Sequence, residues 1–258
     1  AEGKVSPEEK IACHGHYRYG GRNWGCWNRG GHGSLNLAQA LKHSCDVFFY
    51  KLGERLGPDR LAHYAGLLGL GAKTGVLADY ERSGLIPTSE WKQKRHKNPW
   101  KNSDNLGNAI GQGYNLVTPL QNALMVGRFA NGGKRIQPKL LRKESETPDP
   151  LLDWNINEKQ FAFLKEALVQ VVEGPGGTGK NARLSGIHVG GKTGTAQVVG
   201  LERKGKVKGN SEDHAWFVAF APAENPEIAL AVLVEHGGGG GAVAAPIAQK
   251  VLAAYFGK

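Results

Sequence analysis

The chain has 258 residues with a formal net charge of +10 and 40% hydrophobic residues, which is enough to bury a full core in one large domain or two small ones. The positive balance raises nucleic-acid binding, but no helix-turn-helix spacing, RNA-binding aromatic signature or single basic face supports it, so no nucleic-acid partner is expected. No stretch approaches the ~20 apolar residues of a membrane span, and the start Ala1-Glu2-Gly3-Lys4, with Met125 the only methionine, reads as a piece of a longer protein.

Residues 1–33 are rich in Gly, Trp, His and Arg and read as irregular. Ser34 is placed to cap a helix through Leu35, Leu37, Ala38, Ala40 and Leu41. The polar break Lys42-His43-Ser44 precedes a second helix from Asp46 to about Leu56, which Gly57-Pro58 ends. A third runs from about Asp59 to Leu68, and residues 72–106 look loop-like. Thr118-Pro119 opens a helix by the N-cap and N1-proline rule, and Asn131-Gly132-Gly133 closes it. Residues 142–150 form a charged connector, and Asn157 caps a helix to about Val172. Three β-type runs follow, at Gly190 to Val199, Ala215 to Pro222 and Ile228 to Glu235, and their spacing predicts antiparallel strands. Residues 200–210 read as the hairpin tip between the first two, and a last helix covers roughly Val243 to Phe256. Helices first, then strands with flanking helices, predict an α+β fold.

The first strand carries Lys192-Thr193-Gly194-Thr195: an ammonium, two hydroxyls and a glycine of close approach on one edge, suited to a carboxylate-bearing peptide. Lys-Thr-Gly is one of three signatures of penicillin-binding proteins and serine β-lactamases. A second Lys73-Thr74-Gly75 lacks a following strand pair and reads as a surface turn. The three cysteines fall within residues 13–45, and Cys13, Cys26, His32 and Cys45 together offer three thiolates and an imidazole, the donor set of a closed tetrahedral zinc site. His14 and His16 are the alternatives to His32. A Cys13–Cys26 disulfide and unlinked buried thiols are the alternatives to zinc.

Around Ser44-Cys45-Asp46 and Lys192 to Thr195 the sequence resembles the transpeptidase domain of class B penicillin-binding proteins, within them the elongation subgroup, where Asp46 stands in place of the commoner Asn. The resembling stretches are Tyr17-Arg18-Tyr19-Gly20-Gly21, Leu35 to Tyr50, Trp91 to Trp100, Ile110-Gly111-Gln112-Gly113 through Pro119-Leu120-Gln121, and Gly190 to Val198. The resemblance implies a penicillin-binding-protein and serine-β-lactamase-like fold. A helix-and-loop part over 1–141 carries the Ser-x-Asp motif, and a sheet-and-helix part over 151–258 carries the Lys-Thr-Gly-Thr motif.

It also implies acyl transfer through a serine ester. In that scheme Ser44 passes protons, Asp46 orients the network, and Lys192 supplies charge. Thr193 and Thr195 bind the substrate carboxylate, Thr195 N–H forms half of an oxyanion hole, and Gly194 leaves room for the substrate backbone. The implied substrate is the peptidoglycan stem peptide ending in D-Ala-D-Ala, with β-lactams as its mimics. The implied setting is the periplasmic face of the inner membrane, beside a membrane glycan polymerase. The serine-x-x-lysine motif expected some tens of residues before Ser44 is missing, and the one formal match, Ser89-Glu90-Trp91-Lys92, follows it. The nucleophile is therefore expected upstream, and this chain alone is expected to be inactive. The alternatives are a serine β-lactamase or carboxypeptidase, or a non-catalytic β-lactam sensor.

Overall fold

The computed structural model describes residues 2–76, 80–141, 150–198 and 212–258. The hairpin tip over 200–210, and all of the 142–150 connector except Pro150, lie outside them.

At the N-terminus, four short strands replace the expected irregular segment. β1 (Ile11–Cys13) pairs antiparallel with β4 (Gly33–Leu35), and β2 (His16–Tyr19) with β3 (Arg22–Gly25). Gly20 and Gly21, both at positive φ (58° and 75°), make the two-residue turn between β2 and β3. That is the hairpin conformation glycine pairs favour, so the signal was in the sequence. Ser34 does not cap the first helix, because it lies in β4 opposite Ala12. The cap is Asn36, which forms a reciprocal box with Gln39 at the start of α1 (Leu37–His43).

α2 (Asp46–Leu67) contains the break expected at Gly57, whose φ and ψ of 74° and 171° are non-helical. Two short helices stand where a loop was expected: α3 (Ser89–His96), capped by Thr88, and α4 (Asn102–Ala109). Their faces are nearly all polar, which hides the helical period. α4 crosses α2 at Gly53, where a Cβ would lie 2.5 Å from Ala109 Cβ. Phe48, Leu106 and Cys45 form the core of this region.

α5 (Pro119–Ala130) and α6 (Glu158–Val172) begin at the expected caps, Thr118 and Asn157, each with a capping box. β5 (Gly190–Ala196), β6 (His214–Ala221) and β7 (Ile228–Val234) form an antiparallel sheet in the order β5-β6-β7. Ala215, Phe217 and Ala219 of β6 are fully buried against α7 (Ala244–Tyr255), while Phe220 packs with Val126 and Ala130 of α5. Burying each of those phenylalanines contributes ~2–3 kcal/mol. The sheet is thus covered on both faces, and β5 and β7 are its two edges.

Candidate active site

A cleft of about 1010 Å³ runs between the α1–α2 turn and β5. Ser44 closes α1 as its C-cap in the left-handed region, at φ 52° and ψ 50°. A non-glycine residue there is strained, so its surroundings must hold it. Its N–H donates to Leu41 O, and Trp27 Nε1 donates to both His43 O (3.0 Å) and Ser44 O (2.9 Å). Trp27 is 59% exposed, yet its indole N–H pins the turn that presents Ser44.

Lys192 comes from β5, 148 residues further on, and its Nζ donates to Ser44 Oγ at 2.7 Å and to Thr193 O at 2.9 Å. Burial pushes the Lys192 ammonium down to about 8, and the Asp46 charge opposes that shift. Asp46 stands in the first turn of α2. Burial, the largest effect, raises its carboxyl to about 7, against the bond it accepts from Trp27 N–H at 2.8 Å. Asp46 therefore reaches Ser44 through Trp27: its carboxylate holds the backbone of the residue whose indole holds the Ser44 turn.

Thr193 and Thr195 lie on the cleft side of β5. Thr193 Oγ1 donates to Thr178 Oγ1 (2.9 Å), which donates to Lys42 O (3.3 Å), so a hydroxyl relay crosses from β5 to the end of α1. Thr178 was not singled out from sequence, because a lone threonine in a glycine-rich turn carries no local signal. Gly194 has an internal reason to be glycine: a Cβ there would lie 3.1 Å from Trp216 Cβ. Gly240 packs closer still, since a Cβ on it would fall 2.3 Å from Gly194 O.

Cys13, Cys26, His32 and Cys45 converge beneath this turn, with one ligand atom from each lying within 4.8 Å of every other. All three cysteines are buried free thiols. His32 Nδ1 sits 3.6 Å from Cys13 Sγ and 3.5 Å from Cys26 Sγ. Among the described residues, His14 and His16 do not join the group. The hydrogen bond shared with Cys45 lowers the Cys26 thiol to about 4 and raises that of Cys45.

Ser89 and Lys92 do not form a nucleophile pair. Ser89 Oγ donates to Asp59 Oδ2 at 2.7 Å, and buried Lys92 pairs with Asp104. Neither residue lines the cleft. Lys73-Thr74-Gly75 lies outside the strands, but it is not the expected surface turn: the segment is irregular and Thr74 is buried, with its Oγ1 bonded to Glu81 Oε1 at 2.8 Å.

The family model of the penicillin binding protein transpeptidase domain matches residues 1–253. The chain is 38% identical over 244 residues to the peptidoglycan D,D-transpeptidase MrdA of Haemophilus influenzae, covering 89% of this chain and 38% of the relative. The structure of Pseudomonas aeruginosa PBP2 in complex with WCK 5153 is similar at a TM-score of 0.84 and 35% identity, over 98% of this chain and 57% of that one. Helicobacter pylori PBP2, solved in complex with MreC, is similar at 0.81 and 32%, over 98% and 46%. The chain thus spans well under two thirds of these relatives' length. With the Ser44–Lys192 contact in place and the match running nearly end to end, the chain belongs to the family of penicillin-binding protein transpeptidase domains.

Proposed function

We propose that this chain is the cleft-bearing part of a peptidoglycan D,D-transpeptidase. Its donor is a stem peptide ending in D-Ala-D-Ala, and the reaction is serine acyl transfer. The observation that carries the reading is the 2.7 Å bond from Lys192 Nζ to Ser44 Oγ, which joins two signature motifs across one cleft. In the reaction a serine hydroxyl adds to the penultimate D-Ala carbonyl, and the serine ester forms as the terminal D-Ala leaves with a proton. The amine of a second strand then attacks the ester, the cross-link amide forms, and the serine regains its proton.

Ser44 accepts a hydrogen bond from Lys192, so its own O–H is free to donate to the departing amine. Lys192 keeps positive charge beside the edge where the donor carboxylate meets the hydroxyls of Thr193 and Thr195. Thr195 N–H stabilises the oxyanion. The attacking serine belongs to a Ser-x-x-Lys motif, and Ser89 is not that serine: the one match in this sequence, Ser89 to Lys92, has both side chains engaged away from the cleft. β-Lactams, as mimics of the donor, share the cleft. The reading extends to the periplasmic face of the inner membrane, beside a membrane glycan polymerase. The complex of the Helicobacter pylori relative with MreC supports work within an assembly.

The test is binding of a peptide ending in D-Ala-D-Ala, followed by NMR on the whole chain. It should bind at least tenfold more tightly than the same peptide ending in L-Ala-L-Ala, and the double change Thr193→Val, Thr195→Val should remove the difference. Equal binding of the two peptides overturns the reading.

The same reading includes a structural zinc ion on Cys13, Cys26, His32 and Cys45. The sulfur-to-nitrogen distances of 3.5 and 3.6 Å support it, because ordinary Zn–S and Zn–N bonds in a tetrahedron put such ligands ~3.6 Å apart. A closed four-ligand site supplies cross-linking and no chemistry at the substrate. Since Cys45 sits between Ser44 and Asp46, it would tie the catalytic turn to β1 and β3.

A further inference from the structure

β5 is an edge strand, and a side chain occupies its outward-facing groups. Gln112 Nε2 donates to Thr195 O at 2.8 Å, and Gln112 Oε1 accepts from Gln197 N–H at 3.3 Å. Thr193 O faces the same way, where Lys192 reaches it, as alternate residues of a strand must. A carboxamide carries a donor and an acceptor on one planar unit, so Gln112 satisfies this edge much as a peptide group would.

The consequence follows from ladder geometry. In an antiparallel pair, hydrogen-bonded residues opposite each other exchange both N–H···O bonds. A donor residue whose reacting carbonyl oxygen rests on Thr195 N–H therefore points its own N–H at Thr195 O. Gln112 Nε2 already holds that place.

The Gln112 main chain is fixed. Gly111 N–H donates to Asn108 O (3.1 Å), Gln112 N–H to Gly107 O (2.9 Å), and Asn115 Nδ2 to Gln112 O (3.0 Å). Gly111 and Gly113, both at φ 76°, supply the left-handed turns on either side. The side chain, by contrast, has somewhere to go. Gln112 lines both the cleft and an adjoining groove of about 710 Å³, walled by Trp24, Trp100, Asn108 and Tyr114.

We infer that Gln112 is a built-in competitor for the donor position on β5: the incoming peptide displaces its carboxamide from Thr195 O, and the side chain turns into the adjoining groove. The inference rests on reading the cleft as the D-Ala-D-Ala site. Losing two neutral hydrogen bonds at a half-exposed edge should free the site by roughly five- to thirtyfold in peptide affinity.

The experiment titrates wild type, Gln112→Ala and Gln112→Asn with diacetyl-L-Lys-D-Ala-D-Ala by NMR. Hydrogen exchange at Gln197 N–H is measured without peptide. Both variants should bind the peptide several-fold more tightly, Gln197 should exchange faster in both, and the wild-type Gln112 side-chain amide resonances should shift at saturation. Binding that is equal to or weaker than wild type, with wild type itself binding, overturns the competitor role and leaves the transpeptidase reading standing. If no protein of the three binds this peptide, the D-Ala-D-Ala reading falls and the competitor role falls with it.

Discussion

Ser44 holds a backbone conformation that costs of order 1–3 kcal/mol for a non-glycine residue, and Trp27 is the side chain that secures it, with one N–H reaching two carbonyls. Trp27→Phe keeps the ring and loses the donor. It should cost about 1 kcal/mol and speed hydrogen exchange at the Ser44 and Cys45 amides; unchanged exchange there would mean that packing alone holds the turn. Lys192 gives a second residue-scale expectation with a definite sign. Its folded-state value near 8 lies below its ordinary 10.5 because burial disfavours the charge. Below pH 8 the lysine is protonated whether the chain is folded or not, and folding bears the full cost. As pH rises from 8 to 10.5 the folded state sheds its proton first, so stability rises, by up to ~3 kcal/mol. Urea unfolding across that range should show the rise in wild type and a smaller one in Lys192→Met.

Among the elements, glycines mark where one piece of structure meets another. Gly57 divides α2 at a φ and ψ that side chains avoid, and Gly57→Ala should destabilise the chain by about 1–3 kcal/mol. Gly240 acts through space. A Cβ on it would stand 2.2 Å from Trp216 O and 2.3 Å from Gly194 O. Gly240→Ala should therefore push the 239–241 loop off β5, and it should weaken D-Ala-D-Ala peptide binding by more than it lowers stability. A variant that loses stability and binding in step would show that the loop serves the fold only. Asn36 shows how an element boundary shifts by two residues: Ser34 and Asn36 are both capping types, but only Asn36 has Gln39 three positions on to complete the box.

For the molecule as a whole, the Ser44 turn is fastened from both sides. Lys192, and Thr193 through Thr178, reach it from the sheet, and the Cys–His cluster lies under it. If zinc occupies that cluster, the purified chain should carry about one zinc per molecule, and a strong chelator should lower its melting temperature. Cys13→Ser should carry little zinc and be insensitive to the chelator; a metal-free wild type with the same stability would remove zinc from the account. A fluorescent penicillin provides a second whole-chain test. No covalent adduct is expected on this chain by intact mass, because both side chains of its one Ser-x-x-Lys match are committed to Asp59 and Asp104. An adduct mapped to Ser89 or Ser44 would contradict that.

What the sequence determined by itself is what neighbours along a chain can specify. The antiparallel strands around Lys192, the caps at Thr118 and Asn157 and the break at Gly57 all appear in the structure, because strand alternation, capping chemistry and glycine's freedom act within a few residues. The β2–β3 hairpin was missed although Gly20-Gly21 marked its turn, while the β1–β4 pair and the polar helices α3 and α4 are too short or too uniformly polar to show a period. The sequence already favoured His32 over His14 and His16 beside the cysteines, and only the tertiary structure decided that Ser44 takes a left-handed turn and that Gln112 covers the edge of β5. Those outcomes join residues up to 85 positions apart, and packing chooses such partners from many candidates of the same chemical type.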